Sequence, residues 1–466
     1  MALQQTGATP EWLTAGLVYL SQWLGYQMRV TAQPGCAVAV TYQGRVVLDE
    51  AFGHADLAQA EALTSRHRFR VASHSKSFTA AAILKLREQG RLKLDDTAGQ
   101  FVAGLHADVA TATMAQLLSH TAGLFRDGLD SAYWAGRAPF ASEAALRADL
   151  ALPLAIDANM RMKYSNHGYG LAGLVIEAIT GEPFNVWVQR EIVVPAGLAE
   201  TTPDMPLPEG ALLARGHGGK TLLGHHVVFP GDQSTHALAA ATGFVSTAAD
   251  LALWFGQLAP NAAKSVLSVA SRREMVRAHV PYLWTDGDLD YGLGVNRGVT
   301  EGWEWFGHGG GFQGYITRTR VVPAEELAIS VLTNTAGGMS PAWIEGALTI
   351  LQRFKVEGAP TAATSDWGGR WWNTWGAQDL VAFAQKIVLV DPADIKPFRH
   401  ATELVVTGPD KARITDAPST ASYGEPVRRV RNAAGEVIEM RIASGTSIPE
   451  AALKAELLAR YQAAAV

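Results

Sequence analysis

Arg68-Phe69-Arg70-Val71-Ala72-Ser73-His74-Ser75-Lys76, running on into Ser77-Phe78-Thr79-Ala80-Ala81-Ala82-Ile83-Leu84-Lys85-Leu86, is the stretch on which the reading of this chain turns. It reads as a short strand or turn entering a strong apolar helix. Ser73 then falls at the helix N-terminus, where unpaired backbone N–H groups favour negative charge developing on a bound substrate. Lys76 follows three residues later, so hydroxyl and amine share a face. A serine hydroxyl is a weak nucleophile until a base takes its proton, and a lysine can be that base if burial or cationic neighbours depress its pKa. Ser73 also reads as a plain N-cap, a role that does not compete with catalysis.

Two further segments supply partners. In Lys163-Tyr164-Ser165-Asn166-His167-Gly168-Tyr169-Gly170-Leu171 an apolar helix follows, with a Thr180-Gly181 stop. A phenol beside an ammonium group loses its proton more easily, so Tyr164 is a candidate base towards Ser73 and a later acid towards the leaving group. Asn166 offers an amide to orient Lys76 or a substrate carbonyl. The bland reading of Tyr-x-Asn is turn chemistry. The other segment is Phe306-Gly307-His308-Gly309-Gly310-Gly311-Phe312-Gln313-Gly314-Tyr315, followed by the strand-like Ile316-Thr317-Arg318-Thr319-Arg320-Val321-Val322. Glycines let a ligand approach the backbone, a strand edge offers N–H groups to an oxyanion, and His308 is expected to look across the site. Residues 309 to 314 also fit G-x-G-x-x-G, but a strand follows where a dinucleotide fingerprint needs a helix.

With these residues in view, the chain resembles the class C β-lactamase-like serine hydrolases, a group that includes penicillin-binding DD-peptidases, D-aminopeptidases, D-stereospecific amidases and family VIII esterases. Pro34-Gly35-Cys36-Ala37-Val38-Ala39-Val40, with Gly44 and Phe52-Gly53-His54-Ala55-Asp56, is similar to that family's opening hairpin. Leu117-Leu118-Ser119-His120-Thr121-Ala122-Gly123-Leu124 resembles its LLSHTSGL signature, and Gly243-Phe244-Val245-Ser246-Thr247 and Tyr291-Gly292-Leu293-Gly294 resemble later landmarks in the same order. The resemblance implies an α/β (α+β) β-lactamase/transpeptidase-like fold. That means an antiparallel sheet flanked by helices, an all-helical subdomain and, here, a small C-terminal antiparallel β-barrel. It further implies Ser73 as acyl-enzyme nucleophile, Lys76 and Tyr164 as the proton-transfer pair, and an oxyanion hole from the N–H groups of Ser73 and Gly311. His308-Gly309-Gly310 would occupy the Lys-Thr-Gly strand. His308 is the departure, standing where β-lactamases and DD-peptidases usually hold a carboxylate-binding lysine. An unperturbed histidine is mostly neutral at pH 7. Ester or D-amino-acid amide substrates are therefore expected ahead of β-lactams, and no cofactor is expected.

The rest of the chain sets bounds. With 48% hydrophobic and 18% charged residues, a formal charge of −5 and no long basic run, 466 residues fit an enzyme acting on a small molecule or short peptide rather than on nucleic acid. Cys36, the sole cysteine, excludes an internal disulfide and reads as core packing. The apolar run from Leu13 to Met28 is preceded by Glu11 rather than Lys or Arg and is interrupted by Gln22. It reads as an amphipathic helix on the fold, neither signal nor membrane span, and a cytoplasmic location is expected. A homo-oligomer is left open. Residues 1–355 read as the hydrolase domain, 356–366 as a linker, and 367–466 as a barrel of alternating short strands with a terminal helix, resembling the lipocalin-like domain of some family members. The Trp371, Trp372 and Trp375 cluster reads as barrel core. His217, His225 and His226 tempt a metal reading, but no His-Glu-x-x-His or carboxylate partner stands at ligand spacing. Arg126, Asp127 and Trp134 are placed near the cleft by position alone.

Two other classes fit these residues less well. An α/β-hydrolase fails because no G-x-S-x-G exists and the glycine run follows rather than precedes Ser73. A catalytically silent binding protein is permitted by such a fold, but the intact Ser73, Lys76 and Tyr164 set argues against it. Acyl transfer, cyclisation and weak β-lactam hydrolysis remain alternatives on the same acyl-enzyme.

Overall fold

The computed structural model describes residues 8–282, 289–418 and 422–461. The chain packs as two compact units, one being Ala32–Ile344 and the other the segments before Ala32 and after Ile344. The Ala32–Ile344 unit is built on a nine-stranded antiparallel sheet. Its centre joins the two ends of the unit. The opening strand Gly35–Tyr42 pairs with Leu327–Thr333, Cys36 opposite Thr333, and on its other side with Arg45–Asp56. Gly35–Tyr42 is a nearly unbroken buried run, as expected of a strand covered on both faces. Cys36 lies fully buried in it, its thiol pushed up by desolvation.

The glycine run forms a strand, Trp303–Phe312, which turns tightly at Gln313-Gly314 into Tyr315–Val322. Gly314 takes φ +77°, which the hairpin requires and only glycine adopts without strain. Helices occupy the sequence between Arg45–Asp56 and the later strands, among them Ser75–Glu88, Asn166–Thr180 and Ala248–Gln257. Ser75–Glu88 is buried almost throughout, with Phe78 sandwiched between Phe244 and Trp254 at ring-centroid distances of 4.2 and 4.4 Å. That stacking fixes the helix carrying Lys76 against two other elements.

In the other unit, helix Glu11–Thr31 is the amphipathic element the sequence suggests. Trp23 Nε1 and Gln27 Nε2 donate to the carbonyls of Asp394 and Pro392 at 3.3 and 2.7 Å. Eight antiparallel strands, from Gly369–Asn373 to Gly445–Ser447, pair in chain order, and a bridge between Trp372 and Ile448 nearly closes them into a barrel. Trp367, Leu380, Ile387, Leu404 and Met440 fill it. The tryptophan cluster divides instead of packing together. Trp371 lies against the barrel core and Trp372 meets Tyr26 edge-on, but Trp375 is 96% exposed on the turn between two strands and is not core. The stretch 356–366 is tied in by buried hydrogen bonds, Thr364 donating to the Phe383 carbonyl. Among the described residues no helix is long and apolar enough to cross a membrane.

Candidate active site

The turn bearing Ser73 is strained where it has to be sharp. Strand Phe69–Arg70 pairs with Val245–Ser246, then Ala72 takes a left-handed φ of +47° and the chain passes through a 3₁₀ turn, Ala72–His74, into helix Ser75–Glu88. A non-glycine residue in that region costs about 1 kcal/mol and marks a position held by its surroundings. Here the holding groups are Ser75 Oγ, which donates to the Ala72 carbonyl at 2.5 Å and accepts from Phe244 N–H at 3.0 Å, and His74, which bonds the Val71 carbonyl and Thr319. Desolvation holds His74 down at about 3, so it is a neutral structural ring. The N-cap of the helix is His74 rather than Ser73, and the Ser73 hydroxyl is engaged elsewhere.

That engagement is with Lys76 and Tyr164. Ser73 Oγ lies 3.2 Å from Lys76 Nζ and receives the Tyr164 hydroxyl at 2.8 Å. Lys76 is fully buried, and its amine donates to Asn166 Oδ1 at 2.7 Å and to the Ala241 carbonyl at 2.9 Å. Burial drives its pKa well below the ordinary lysine value, Arg126 adds to this, and Asp127 opposes it. A neutral amine carries two hydrogens and one lone pair. Directing those two hydrogens to Asn166 and Ala241 would leave the lone pair for Ser73 Oγ, whereas an ammonium would donate to all three oxygens.

Local sequence explains how Tyr164 and Asn166 are presented. Ser165 is the N-cap of helix Asn166–Thr180, its Oγ accepting from Gly168 N–H at 2.8 Å and donating to the Phe125 carbonyl at 2.6 Å. The cap fixes Tyr164 just before the helix and Asn166 in its first turn. Gly181, at φ +74°, ends the helix where the sequence indicates. Tyr164 departs from expectation in its electrostatics. Desolvation outweighs its neighbours and pushes the phenol up rather than down, so it stays protonated and serves as a donor.

His308 is buried beneath the site rather than looking across it. Tyr291 donates its hydroxyl to Nε2 at 2.9 Å, while Nδ1–H donates to the Gly309 carbonyl at 2.6 Å. Both ring nitrogens are thereby used, and burial keeps the ring neutral. Side chains alternate along the strand. His308 and Gly310 therefore share the face against the nucleophile turn, where a Cβ on Gly310 would stand 2.1 Å from the Val71 carbonyl oxygen. Gly309 and Gly311 take the other face. Strand Asn296–Thr300 pairs with Trp303 to Gly307, and among the described residues no strand pairs with 308–312 on that side.

Several residues that the sequence placed without a role, or only within a motif, acquire one here. Asp127 Oδ1 accepts from Asn166 Nδ2 at 2.6 Å and pairs with Arg126 at 3.1 Å, which makes it the third member of a Lys76, Asn166, Asp127 chain. His120, at φ +60°, packs on Tyr164 in a tilted contact with centroids 4.1 Å apart and accepts from Ser165 N–H. Its place in the LLSHTAGL run was the only signal. Trp134 packs edge-on against Phe312, and Gln313 donates to the carbonyls of Tyr133 and Trp134, so this loop is tied to the hairpin tip. His217 is structural, its Nδ1 on the Asn334 carbonyl and its Nε2 accepting from Leu57 N–H; His226 bonds the Gly218 carbonyl and His225 is exposed.

Comparison with known proteins finds the same fold elsewhere. The octameric penicillin-binding protein homologue from Pyrococcus abyssi superposes with a TM-score of 0.66 at 21% identity, covering 93% of this chain and all of that one. The D-amino acid amidase from Ochrobactrum anthropi gives 0.62 at 20% identity over 72% of this chain and 99% of the other. In sequence, Protein flp of Staphylococcus aureus is 27% identical over 173 residues, 36% of this chain and 34% of that protein, so the match spans about a third of that relative's length. Residues 21–349 match the Beta-lactamase family, which takes in Ser73, Lys76, Tyr164 and the glycine strand, and the chain belongs to that family.

Proposed function

We propose that the protein is a serine hydrolase that cleaves an amide or ester bond of a small substrate through an acyl-enzyme on Ser73. The observation that carries this reading is the placement of the buried Lys76 amine, 2.7 Å from Asn166 Oδ1, 2.9 Å from the Ala241 carbonyl and 3.2 Å from Ser73 Oγ. In this reading Ser73 transfers its proton to Lys76 as Oγ attacks the carbonyl carbon. The resulting ammonium keeps three acceptors, so no rearrangement accompanies protonation. Tyr164 donates its proton to the leaving group and recovers one from the Lys76 ammonium, whose Nζ lies 4.8 Å from the tyrosine ring centroid. Water then repeats the sequence in reverse to release the acid. Ser73 N–H and Gly311 N–H, on the open strand edge, hold the oxyanion.

The D-amino acid amidase likeness favours D-configured amides, and the neutral His308 favours esters; an amine or alcohol in place of water would make the same chemistry an acyl transfer. A panel of p-nitrophenyl esters, L- and D-amino-acid p-nitroanilides, D-configured peptides and nitrocefin tests the reading. We expect ester turnover and a D over L preference among amides. Efficient nitrocefin hydrolysis with no ester or peptide activity would overturn it. The octameric Pyrococcus homologue supports a homo-oligomer, which light scattering on the purified protein tests.

A further inference from the structure

Gly311, whose N–H is one of the two oxyanion donors, has little packed against it. It is exposed, and a Cβ there would meet only Ile316 Cδ1 at 3.7 Å. Beyond the hairpin ladder itself, its N–H is therefore placed by the residues on either side. On one side Gly310 lies against the Val71 carbonyl of the nucleophile turn, with no room for a Cβ. On the other side is Phe312, which by strand alternation points to the same face as Gly310. Its ring meets Arg70, three residues before Ser73 on strand Phe69–Arg70, with the guanidinium carbon Cζ 4.2 Å from the ring centroid. The segment that enters the nucleophile thus touches the glycine strand immediately before and immediately after Gly311.

Arg70 is fully buried. Its Nη1 donates to the carbonyls of Gln233 and Gly231 at 2.7 and 3.3 Å. Among the described residues Nε and Nη2 have no hydrogen-bond partner. The Asp204 carboxylate stands 3.7 Å from Nη2 and accepts instead from Ser234 Oγ and Thr235 N–H at 2.6 and 2.9 Å. A buried charge with two orphaned donors costs stability that an apolar side chain of similar volume would not. What the cation has in their place is the face of Phe312, an attraction that strengthens as water is excluded. A planar guanidinium held by two carbonyls also gives the ring one position, which a flexible alkyl chain would not. Phe140 stacks nearly parallel to the same ring at 5.5 Å, and Gln233 Nε2 donates to Gln313 Oε1 at 2.8 Å, so the hairpin tip is braced from the loop that holds Arg70.

We propose that Arg70 is a positioning residue for acylation, which through the Phe312 ring sets the Gly311 N–H against the Ser73 N–H so that both donors reach the oxyanion. The inference rests on the acyl-enzyme reading of Ser73 and on the Gly311 donor that belongs to it. A residue that only braced the fold would affect stability without favouring the oxyanion over the ground-state carbonyl, and the two roles separate experimentally.

The test compares p-nitrophenyl butyrate with its O-(p-nitrophenyl) thiono analogue, in which sulfur replaces the carbonyl oxygen. Both release p-nitrophenolate, and acylation is followed under single-turnover conditions. Sulfur accepts hydrogen bonds weakly, so the oxygen ester alone gains fully from two aligned N–H groups, and the oxygen-to-sulfur ratio of acylation rates reports their alignment. Arg70→Met is expected to lower that ratio ~10- to 100-fold, through the maximal rate rather than half-saturation. Phe312→Leu leaves the hydrogen bonds of Arg70 in place and should lower the ratio by a similar factor, with no further loss in the double variant. Arg70→Lys, which keeps the charge but not the plane, should restore part of the ratio and serves if Arg70→Met fails to fold. Folded Arg70 variants that slow both esters equally, or a Phe312→Leu protein with the wild-type ratio, would overturn the proposal. If neither the oxygen ester nor a fluorophosphonate modifies Ser73 in the wild-type protein, the hydrolase reading itself fails and takes this inference with it.

Discussion

Replacing Asp127 by Asn removes one charge from the chain that sets Lys76 while preserving its shape and its hydrogen bond to Asn166. Asp127 Oδ1 lies 2.6 Å from Asn166 Nδ2, and Asn166 Oδ1 lies 2.7 Å from Lys76 Nζ. With the width of the amide between them, the carboxylate stands about 7 Å from the amine, and at an effective dielectric of about 20 that charge is worth about 2 kcal/mol. This corresponds to between one and two pKa units as an upper bound, since salt and the partial exposure of Asp127 screen it. The direction follows from the role assigned to Lys76. Its neutral form is the base, so rate rises as pH climbs through its pKa; Asp127 favours the ammonium form, so removing the charge lowers that pKa. Arg126, no longer offset by the Asp127 charge, acts in the same direction. The low-pH limb of kcat/KM for acylation, measured by stopped flow on a p-nitrophenyl ester, should therefore move about one unit towards acid in Asp127→Asn. A limb that stayed in place or moved towards alkali would refute Lys76 as the titrating base.

Two further outcomes follow from the same geometry. Ser73→Ala, Lys76→Ala and Tyr164→Phe should each lower turnover by several orders of magnitude with unchanged circular dichroism, and double variants should lose little more than singles, because the three act as one unit. Gly310→Ala sets a Cβ 2.1 Å from the Val71 carbonyl, against the nucleophile turn, whereas the Cβ of Gly311→Ala meets only Ile316 Cδ1 at 3.7 Å. The first should lower stability by about 1–3 kcal/mol and abolish activity, while the second should fold normally, as thermal melting and ester assays will show.

What could be read beforehand follows from how each feature is encoded. Ser73 with Lys76, and Tyr164 with Asn166, lie within one helical turn or one cap, so spacing alone brings each pair together. The stop at Gly181 was equally local. The pairing of Gly35–Tyr42 with Leu327–Thr333 joins segments from opposite ends of the unit, and only the family resemblance pointed to such a sheet. Asp127 was named by position without a role, because its partner Asn166 is 39 residues away and no pattern links an exposed-looking Arg-Asp pair to a buried lysine. His308 and Tyr164 were misjudged for a common reason. Both were read with the chemistry of solvated groups, yet desolvation dominates each, and the Tyr291 hydroxyl that occupies His308 arrives from another strand. Trp375 shows the converse, since an aromatic in a cluster counted as core although its turn carries it into solvent.

The account stands or falls on Ser73 as the residue that becomes acylated. Incubation with a fluorophosphonate, followed by proteolysis and peptide mass mapping, addresses this directly. The account predicts a single adduct on the peptide containing Ser73, formed in step with loss of ester hydrolysis and absent from Ser73→Ala. An adduct on any other residue, or a Ser73→Ala protein that still turns over the wild-type substrates at near wild-type rates, would contradict it.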